Sequence, residues 1–267
     1  MKKKVAILAG GDSSEYEVSL GSAKQMGEWL NKEKYEVYPV LVKGADWVYQ
    51  SPDKQGFPVD KNDFSVTVNG EKIKFDYALI AIHGTPGEDG KLQAYFELLR
   101  IPYSTGGVLS TALTFNKHAT KQYLKNYKIH MPAWYMLREN DPVNSLEILR
   151  EVGLPCFVKP NNGGSSCGVT KVSSESQLEE AVELARKEDH EVMIAEYIEG
   201  IEVTCGLVQT GKKEVILPLT EIVSKNEFFD YEAKYTPGIA DEISPARISD
   251  NHRAEEHTSE LQSLLII

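Results

Sequence analysis

The chain carries a glycine-rich segment, Val158-Lys159-Pro160-Asn161-Asn162-Gly163-Gly164-Ser165-Ser166-Cys167-Gly168-Val169, between two apolar runs. Glycine lacks a Cβ and adopts positive φ, so backbone N–H groups can crowd around an anion in such a loop. Lys159 adds a full positive charge at the entrance. The pattern G-x-x-x-x-G-K-[ST] is absent, and here the lysine precedes the glycines. The segment predicts either a phosphate-binding flap between antiparallel strands or an ordinary Gly/Ser hairpin turn.

The composition is that of a globular protein with one large domain or two smaller ones. The 267 residues are 41% hydrophobic and 26% charged, with a formal net charge of −11. That charge argues against nucleic-acid or membrane-surface binding, because polyanions would be repelled. The three cysteines lack metal-ligand spacing, and the first apolar run, Val5 to Ala9, is too short for a signal peptide. We therefore expect a soluble, cytoplasmic protein.

Two strand–loop–helix units are predicted near the N-terminus. The apolar run Val5 to Ala9 leads into Gly10-Gly11 and a helix, and the run Ala78 to Ile82 leads into His83-Gly84 and a helix over 91–99. Such units indicate a doubly wound α/β layer, in which both loops face one crevice. The fingerprint G-x-G-x-x-G is absent, which disfavours a nicotinamide-dependent dehydrogenase.

Two polar residues stand out in these loops. Glu15 lies in the first turn of the first helix, where it either stabilises the helix dipole or binds a ligand. His83 follows a buried strand, and it is either structural or a ligand contact.

The rest of the chain is predicted from periodicity and turn residues. Ser65 to Val68 and Lys72 to Phe75 form a hairpin through Asn69-Gly70. We predict one helix from Val108 to Tyr127, a strand from Glu202 to Val208 paired with Lys213 to Leu219, and a loop over Phe228 to Tyr235.

Four ordered motifs resemble the D-alanine–D-alanine ligases of the ATP-grasp superfamily. They are Gly10-Gly11-x-Ser13-x-Glu15-x-Glu17-Val18-Ser19, His83-Gly84-x-x-Gly87-Glu88-Asp89-Gly90, Lys159-Pro160-x-x-x-Gly164-Ser165-Ser166-x-Gly168 and Tyr231-Glu232-Ala233-Lys234-Tyr235. The resemblance implies an N-terminal doubly wound pre-ATP-grasp domain followed by an incomplete ATP-grasp fold (α+β). It implies segments 1–107 (substrate side), 108–190 (central, with the flap), 191–247 (partial C-terminal subdomain) and 248–267 (a non-family tail).

The resemblance implies an ATP-driven ligation for peptidoglycan precursor synthesis. A first D-alanine carboxylate attacks the γ-phosphate, and the amine of a second D-alanine displaces phosphate from the acyl phosphate. By matched position, Glu15 anchors the ammonium of the first D-alanine and His83 lies beside it. Ser165 links the substrate side to Tyr235, which lies on the closing loop and favours a dipeptide product over a depsipeptide.

The resemblance also implies an ATP site. Its residues would hold the phosphates, the adenine and the ribose, and they are Lys117, Lys159, Gly164, Ser165, Ser166, Glu196, Tyr197, Ile198, Glu202 and Lys234. Within this set, Tyr197 and Ile198 are also explained by simple core packing. The family uses Mg²⁺ or Mn²⁺ and is commonly a homodimer.

The sequence departs from the family after Arg247. The Arg-x-Asp and Glu-x-Asn patterns that supply the oxyanion arginine and the metal ligands are not found, so no metal ligand is expected in this chain. We interpret residues 248–267 as unrelated to the family, or alternatively as a divergent helix capped near Ser249-Asp250. Loss of such charge stabilisers typically costs on the order of a hundredfold in rate, so weak or no activity is expected. The alternatives are a non-catalytic ATP-binding fragment and another ATP-grasp carboxylate–amine ligase.

Overall fold

Two units make up the chain, Met1–Lys117 and His118–Ile267. They are seen in a computed structural model that describes residues 2–127, 129–210 and 213–252. The predicted division into four segments is finer than this, and its inner boundaries stay predictions.

The first unit is built on a seven-stranded sheet with the strand order β6-β5-β4-β3-β2-β1-β7. Strands β2, β1 and β7 are parallel, and the other neighbours are antiparallel. Its elements are β1 (Lys3–Gly10), α1 (Tyr16–Trp29), β2 (Tyr35–Lys43), β3 (Asp46–Gln50), β4 (Gly56–Asp60), β5 (Ser65–Val68), β6 (Glu71–Lys74), β7 (Tyr77–Ile80), α2 (Lys91–Leu99) and α3 (Val108–Phe115).

The apolar runs of the sequence form the central strands of this unit, because their side chains make up its core. Ala6 and Leu8 of β1 are fully buried, as is Ala78 of β7. Phe64 packs edge-on against Phe96 of α2, with ring centroids 4.8 Å apart. The predicted buried strands and α/β class are therefore confirmed, although the strand predicted from Ala78 to Ile82 ends at Ile80.

The predicted hairpin is also confirmed. Strand β5 pairs antiparallel with β6, and the two residues between them have positive φ, 50° at Asn69 and 85° at Gly70. Both signs are those that a type I′ turn requires.

The described residues of the second unit form three sheets. A four-stranded antiparallel sheet has the order β10-β9-β11-β8, a three-stranded one the order β12-β15-β16, and β13 pairs with β14. The elements are α4 (Lys117–Leu124, which crosses the boundary), β8 (Trp134–Leu137), α5 (Ser145–Val152), β9 (Cys156–Pro160), β10 (Thr170–Val172), α6 (Leu178–Arg186), β11 (Val192–Glu196), β12 (Glu202–Thr204), β13 (Leu207–Thr210), β14 (Lys213–Ile216), β15 (Thr220–Ser224), α7 (Tyr231–Tyr235) and β16 (Ala240–Ile243).

One face of the four-stranded sheet is covered by α5 and α6. Val158 of β9 and Ile194 of β11 are fully buried there with Ile148 of α5 and Val182 of α6. Because side chains alternate along a strand, the neighbours of these residues in β9 and β11 point to the opposite face. Lys159 lies on that opposite face.

The single helix predicted from Val108 to Tyr127 is wrong. Helix α3 ends at Phe115, and α4 begins at Lys117. Asn116 between them is extended, with φ −90° and ψ 105°. An asparagine side chain competes for backbone hydrogen bonds and is disfavoured inside a helix. Asn116 was therefore a sequence signal for the break, although the helical pattern continues on both sides of it.

Two further predictions need correction. The loop predicted over 228–235 contains α7, which Asp230 caps by accepting a hydrogen bond from the N–H of Ala233 (2.8 Å). The strand predicted from Glu202 to Val208 is divided between β12 and β13, which belong to different sheets.

The predicted tail lies mostly outside the described residues, which end at 252. Just before that point, the N–H of His252 donates to Ser249 Oγ (3.3 Å), as a helix N-cap contact would. Among the described helices, none has the length and apolar character needed to cross a membrane.

Candidate functional site

The two glycine loops of the first unit meet at one edge of the sheet. Strands β1 and β7 are parallel neighbours, so both end at the same edge. The N–H of Asp12 donates to the carbonyl of Thr85 (3.0 Å), and Ser13 Oγ donates to the carbonyl of His83 (2.8 Å). The two loops thus form one surface, as the sequence predicts.

Glycine is required where these loops touch. Gly11 has φ +93°, and a Cβ there would lie 2.6 Å from Cγ2 of Ile82. Gly84 has φ +71°, and a Cβ there would lie 2.7 Å from Cβ of Ser13. A side chain at either position would force the loops apart.

Glu15 and His83 both border this junction. Glu15 is only 4% exposed and directly precedes α1. Its Oε2 atom would lie 3.8 Å from a Cβ placed on Gly84. Nε2 of His83 lies 3.0 Å from Oγ of Ser22 in α1, which orients the imidazole ring. The structure therefore brings Glu15 to the loop that begins with His83.

Glu88 adds a second carboxylate that the sequence analysis did not single out as a site residue. Its Oε2 accepts a hydrogen bond from the N–H of Gly84 (2.9 Å). Desolvation raises the pKa of Glu88, and the negative charge of Glu15 raises it further. Two neighbouring carboxyl groups make this junction a favourable place for a cation such as an ammonium group.

In the second unit, Lys159 stands on β9 beside the flap. Its cross-strand neighbour on β11 is Met193, which is fully buried. Burial lowers the pKa of Lys159, because the charged ammonium loses hydration. Within the described residues Lys159 forms no ion pair. Such a cation is suited to an anionic ligand.

The flap between β9 and β10 holds an unusual backbone conformation. Gly163 and Gly168 have φ of +121° and +67°, and Ser165 and Ser166 have φ of +48° and +60°. Non-glycine residues rarely adopt positive φ, and such strain clusters where a loop binds a ligand. Strands β9 and β10 pair antiparallel. Both alternatives predicted from the sequence, a phosphate-binding flap and a hairpin turn, include this pairing, so it does not distinguish them.

The flap is anchored at its base by a buried amide. Asn161 Oδ1 accepts from the N–H of His118 (2.8 Å), and Nδ2 donates to Oε2 of Glu191 (2.7 Å). Asn161 is fully buried, so these two bonds fix where the flap starts.

The tip of the flap is joined to the segment that includes α7. Oγ of Ser165 lies 2.5 Å from the hydroxyl oxygen of Tyr235. Next to it, Oγ of Ser166 donates to the carbonyl of Phe229 (2.9 Å). The structure thus brings together two motifs that lie 70 residues apart in sequence.

The predicted adenine segment begins at Glu196, the last residue of β11. Glu196 is tied to Ala133 twice, through its N–H to the carbonyl of Ala133 and through its Oε2 to the N–H of Ala133 (both 2.9 Å). Tyr197 lies under Lys171, whose Nζ is 4.4 Å from the ring centroid. Ile198 is 62% exposed, so core packing does not account for it.

Glu202 and Lys234 come from β12 and α7. Desolvation raises the pKa of Glu202, and the ammonium of Lys234 partly offsets this rise. Lys234 Nζ also lies 5.4 Å from the ring centroid of Phe229. Lys117, the other predicted phosphate lysine, is the first residue of α4.

Lys121 was missed by the sequence analysis. Its ammonium donates to the carbonyl of Pro132 (2.9 Å) and lies 4.7 Å from the ring centroid of Trp134. It follows Lys117 by four residues on α4, and that spacing places two helical side chains on one face. This spacing from Lys117 was the feature of the sequence that pointed to Lys121.

No group of three or more His, Cys, Asp or Glu side chains that could hold a metal ion occurs within residues 2–127, 129–210 and 213–252. Glu15, His83 and Glu88 belong to the first unit, and the flap, the segment after β11 and α7 belong to the second.

Comparisons with known proteins agree in both units. The family model described as "D-ala D-ala ligase N-terminus" matches residues 4–106, and "D-ala D-ala ligase C-terminus" matches residues 123–263. The second match extends into the predicted non-family tail, which stays a prediction.

Individual relatives match over most of the chain. The D-alanine–D-alanine ligase of Bacteroides fragilis is 49% identical over 267 residues, which are 99% of this chain and 82% of that protein. The D-alanine–D-alanine ligase of Flavobacterium johnsoniae is 51% identical over 248 residues, covering 93% of this chain and 76% of that protein.

Solved structures share the fold. D-alanyl-alanine synthetase A from Vibrio cholerae has a TM-score of 0.87 at 27% identity, over 99% of this chain and 80% of that one. The VanG D-Ala:D-Ser ligase from Enterococcus faecalis has a TM-score of 0.82 at 31% identity, over 98% and 81%. The ATP complex of the Bacillus anthracis D-alanine–D-alanine ligase has a TM-score of 0.72 at 27% identity, over 99% and 76%.

Proposed function

This chain belongs to the D-alanine–D-alanine ligase family, and we propose which of its residues carry the family's reaction. The family joins two D-alanines with cleavage of ATP, and the product is the D-alanyl-D-alanine of peptidoglycan precursors. Its fold is that of the ATP-grasp ligases.

The first D-alanine binds at the junction of the two glycine loops. Glu15 accepts its ammonium group, and this role is supported by the burial of the Glu15 carboxyl. Glu88 strengthens the negative potential there, because it adds a second carboxyl group. His83 lies beside the same substrate, with its ring oriented by Ser22. A buried carboxylate that faces an ammonium forms a charge-assisted hydrogen bond, which is among the stronger polar contacts in proteins.

ATP binds in the second unit. Lys159 and the backbone N–H groups of Gly164, Ser165 and Ser166 hold the phosphates, and Lys117 adds another ammonium group. Support comes from the positive φ angles of the flap, since turn conformations of this kind can direct successive N–H groups towards an anion. The low pKa of Lys159 supports it too, since an anion stabilises the charged form that burial disfavours.

The base and sugar lie on neighbouring elements. Glu196, Tyr197 and Ile198 hold the adenine, and the exposure of Ile198 leaves its apolar surface available for the base. Glu202 accepts from the ribose hydroxyls. Lys234 contacts the same nucleotide in this proposal, and its charge already acts on Glu202.

The observation that carries this proposal is the bond between Ser165 and Tyr235. It closes the flap against α7, so that bulk water is excluded from the phosphates. Water exclusion matters because an acyl phosphate would otherwise hydrolyse before the second D-alanine amine attacks it. We assign to the hydroxyl of Tyr235 a contact with the second D-alanine, as the resemblance of this segment to the family's closing loop implies.

The resemblance also implies Mg²⁺ or Mn²⁺. Within the described residues no cluster of three or more His, Cys, Asp or Glu side chains fits such an ion. Each role proposed above therefore belongs to a side chain or backbone group of this chain.

We also propose a homodimer formed through the first unit, in the cytoplasm. Leu98 of α2 and Leu109 of α3 are 84% and 78% exposed, and apolar side chains of this kind favour burial against a second copy. The low cysteine content, three in 267 residues, fits a reducing compartment. Light scattering of the purified protein would give the oligomeric state.

The test is an assay of ADP and dipeptide formation with ATP, Mg²⁺ and D-alanine, run beside calorimetric titration with ADP. ADP release that depends on D-alanine, with D-alanyl-D-alanine as the product, supports the ligase. ADP binding without D-alanine-dependent release supports a non-catalytic ATP-binding fragment. Turnover only with another acceptor, such as D-serine or D-lactate, would point to a different carboxylate ligase.

A further inference from the structure

Two partly buried lysines of the second unit, Lys121 and Lys159, lie over the same face of the four-stranded sheet. Lys121 contacts Trp134 of β8, which shares its face with Met136, and both Met136 and Lys159 are paired with Met193 of β11. Lys121 belongs to α4 and Lys159 to β9, and neither forms an ion pair within the described residues. Burial lowers the pKa of Lys121, and the charge of Lys159 lowers it further. Unpaired charges that are removed from water are costly, so this arrangement calls for an anion.

The side chain of Lys121 is held in place. Its Nζ donates to the carbonyl of Pro132 (2.9 Å) and lies over the indole ring of Trp134, 4.7 Å from its centroid. The indole Nε1 in turn lies 3.3 Å from Nδ1 of His118, which is on the same helix as Lys121. Lysine side chains on a helix surface normally extend to water, but this one is fixed beside the sheet.

The groups around Lys121 leave a net positive charge. The charge of Lys159 on β9 acts on Lys121, and His118 lies on the same helix as Lys121. Glu196 of β11 is the one carboxylate with a resolved effect on Lys121, and its Oε2 already accepts from the N–H of Ala133. Burial, reinforced by the charge of Lys159, lowers the pKa of Lys121 to about 8.

We propose that Lys121 is a further phosphate-binding residue of the nucleotide site, where its ammonium and that of Lys159 share the phosphate charge. The inference rests on the proposed ATP site, since it assigns one more residue to it. An anionic phosphate between the two ammonium groups replaces their repulsion with two attractions. Lys117, one helical turn before Lys121, then lies on the same face of α4.

The alternative is a purely structural role, in which Lys121 only ties α4 to β8 through Pro132 and Trp134. The two roles differ in what they predict for ligands with and without phosphate. A phosphate contact affects ADP and leaves adenosine almost unchanged. A structural tie that positions the adenine segment affects both ligands alike.

The test is calorimetric titration of the purified chain with ADP and with adenosine, in a chelating buffer so that no metal ion contributes. The variants are Lys121→Gln, Lys121→Arg and Lys125→Gln, which removes an exposed charge just beyond α4. Lys121→Gln should weaken ADP binding by about tenfold or more and change adenosine binding less than about twofold. Lys121→Arg should retain most of the ADP affinity, and Lys125→Gln should match the wild type.

A pH series gives a readout that a structural tie would not move. Lys121 must be charged to attract phosphate, and its pKa in the free protein is about 8. The affinity for ADP should therefore fall as the pH rises above about 8 in the wild type. In Lys121→Arg this fall should be reduced, because arginine stays charged.

Three results would overturn the inference. The first is that Lys121→Gln loses ADP affinity and adenosine affinity equally. The second is that Lys121→Gln binds ADP no more weakly than Lys125→Gln does. The third is a wild-type chain that binds neither ligand, which would also overturn the proposed ATP site. Circular dichroism of each variant separates loss of binding from loss of folding, and Lys121→Arg keeps the test valid if Lys121→Gln unfolds.

Discussion

The Oγ atom of Ser165 at the tip of the flap lies 2.5 Å from the hydroxyl oxygen of Tyr235 at the end of α7. This contact connects a loop whose backbone can bind phosphate to a helix that carries Lys234 and Tyr235. This pair of hydroxyl groups joins the flap to α7 itself, beside the bond from Ser166 to the carbonyl of Phe229, and each hydroxyl can be removed by deleting one oxygen atom.

Tyr235→Phe removes the hydroxyl and keeps the ring. We expect KM for the second D-alanine to rise roughly three- to tenfold, as for the loss of one hydrogen bond, while the affinity for ADP changes less. Steady-state kinetics and ADP titration measure the two effects. Tyr231→Phe, one turn earlier on the same helix, is the matched control, and equal effects of both substitutions would count against the role of Tyr235.

Ser165→Ala should be non-additive with Tyr235→Phe. Both substitutions break the same hydrogen bond, so the double variant should lose little more than the worse single variant. The same kinetic measurements complete this double-mutant cycle. Full additivity of the two effects would show that the residues act separately.

Glu15→Gln removes the charge of the buried carboxyl and preserves its shape. Since the ammonium of the first D-alanine would lose a charge-assisted contact, its affinity should fall on the order of tenfold to a hundredfold. The affinity for ADP should stay unchanged. Glu17→Gln removes an exposed charge from the same first turn and should leave D-alanine binding as it is. A D-alanine affinity unaffected by Glu15→Gln would refute the assignment.

Lys159→Gln should weaken ADP binding by about tenfold or more without destabilising the protein. Lys159 forms no ion pair within the described residues, so its loss leaves no buried partner charge unpaired. Lys187→Gln, an exposed change of the same charge after α6, is the control. Calorimetry measures the affinity and denaturant unfolding measures the stability. Loss of stability with unchanged ADP affinity would make Lys159 a structural residue.

Gly84→Ala should destabilise the first unit by more than about 1–3 kcal/mol, the usual cost of a strained backbone conformation. A Cβ there meets both an unfavourable φ of +71° and Cβ of Ser13 at 2.7 Å. Gly70 has φ +85° but nothing within 4 Å, so Gly70→Ala should show the conformational cost alone. Denaturant unfolding gives both values, and equal losses would show that the loop contact has no effect on stability.

Acid should weaken the contact between Glu221 and Arg247. Hydrogen bonds from the guanidinium and the backbone of Arg247 hold the pKa of Glu221 at about 2, below its usual 4.5. The pair therefore stabilises the fold above about pH 4.5, and this contribution is lost as the pH falls towards 2.

Arg247→Met should be less stable than the wild type at pH 6, and the difference should shrink towards pH 2. Thermal unfolding across this range provides the measurement. Arg150→Met removes an exposed ion pair, in which Nη2 of Arg150 lies 4.0 Å from Oε1 of Glu151, and it should show no such trend. A constant difference between Arg247→Met and the wild type would contradict the pKa assignment.

Local patterns in the sequence were sufficient to predict the central elements. The apolar run Val5 to Ala9, the Asn69-Gly70 turn and the apolar strand that leads to the flap each follow from side-chain burial or backbone conformation over a few residues. The meeting of the two glycine loops followed from the parallel pairing of β1 and β7, because parallel strands end at the same edge.

The features that escaped prediction depend on tertiary contacts. The break at Asn116 is one backbone conformation within an otherwise helical pattern. Helix α7 has only five residues, and its stability comes from the Asp230 cap and the contact with the flap. Lys121 has no local signal of burial, since its surroundings come from β8, β9 and β11.

In the proposed nucleotide site, the flap and the α7 segment form a lid over ATP. Hydrogen–deuterium exchange with and without ATP tests this closure, because the peptides over 161–169 and 226–236 report on both sides of the lid. We predict slower exchange in both segments with ATP and no change in either with adenosine. Unchanged exchange in both segments at saturating ATP would show that they do not close over the nucleotide.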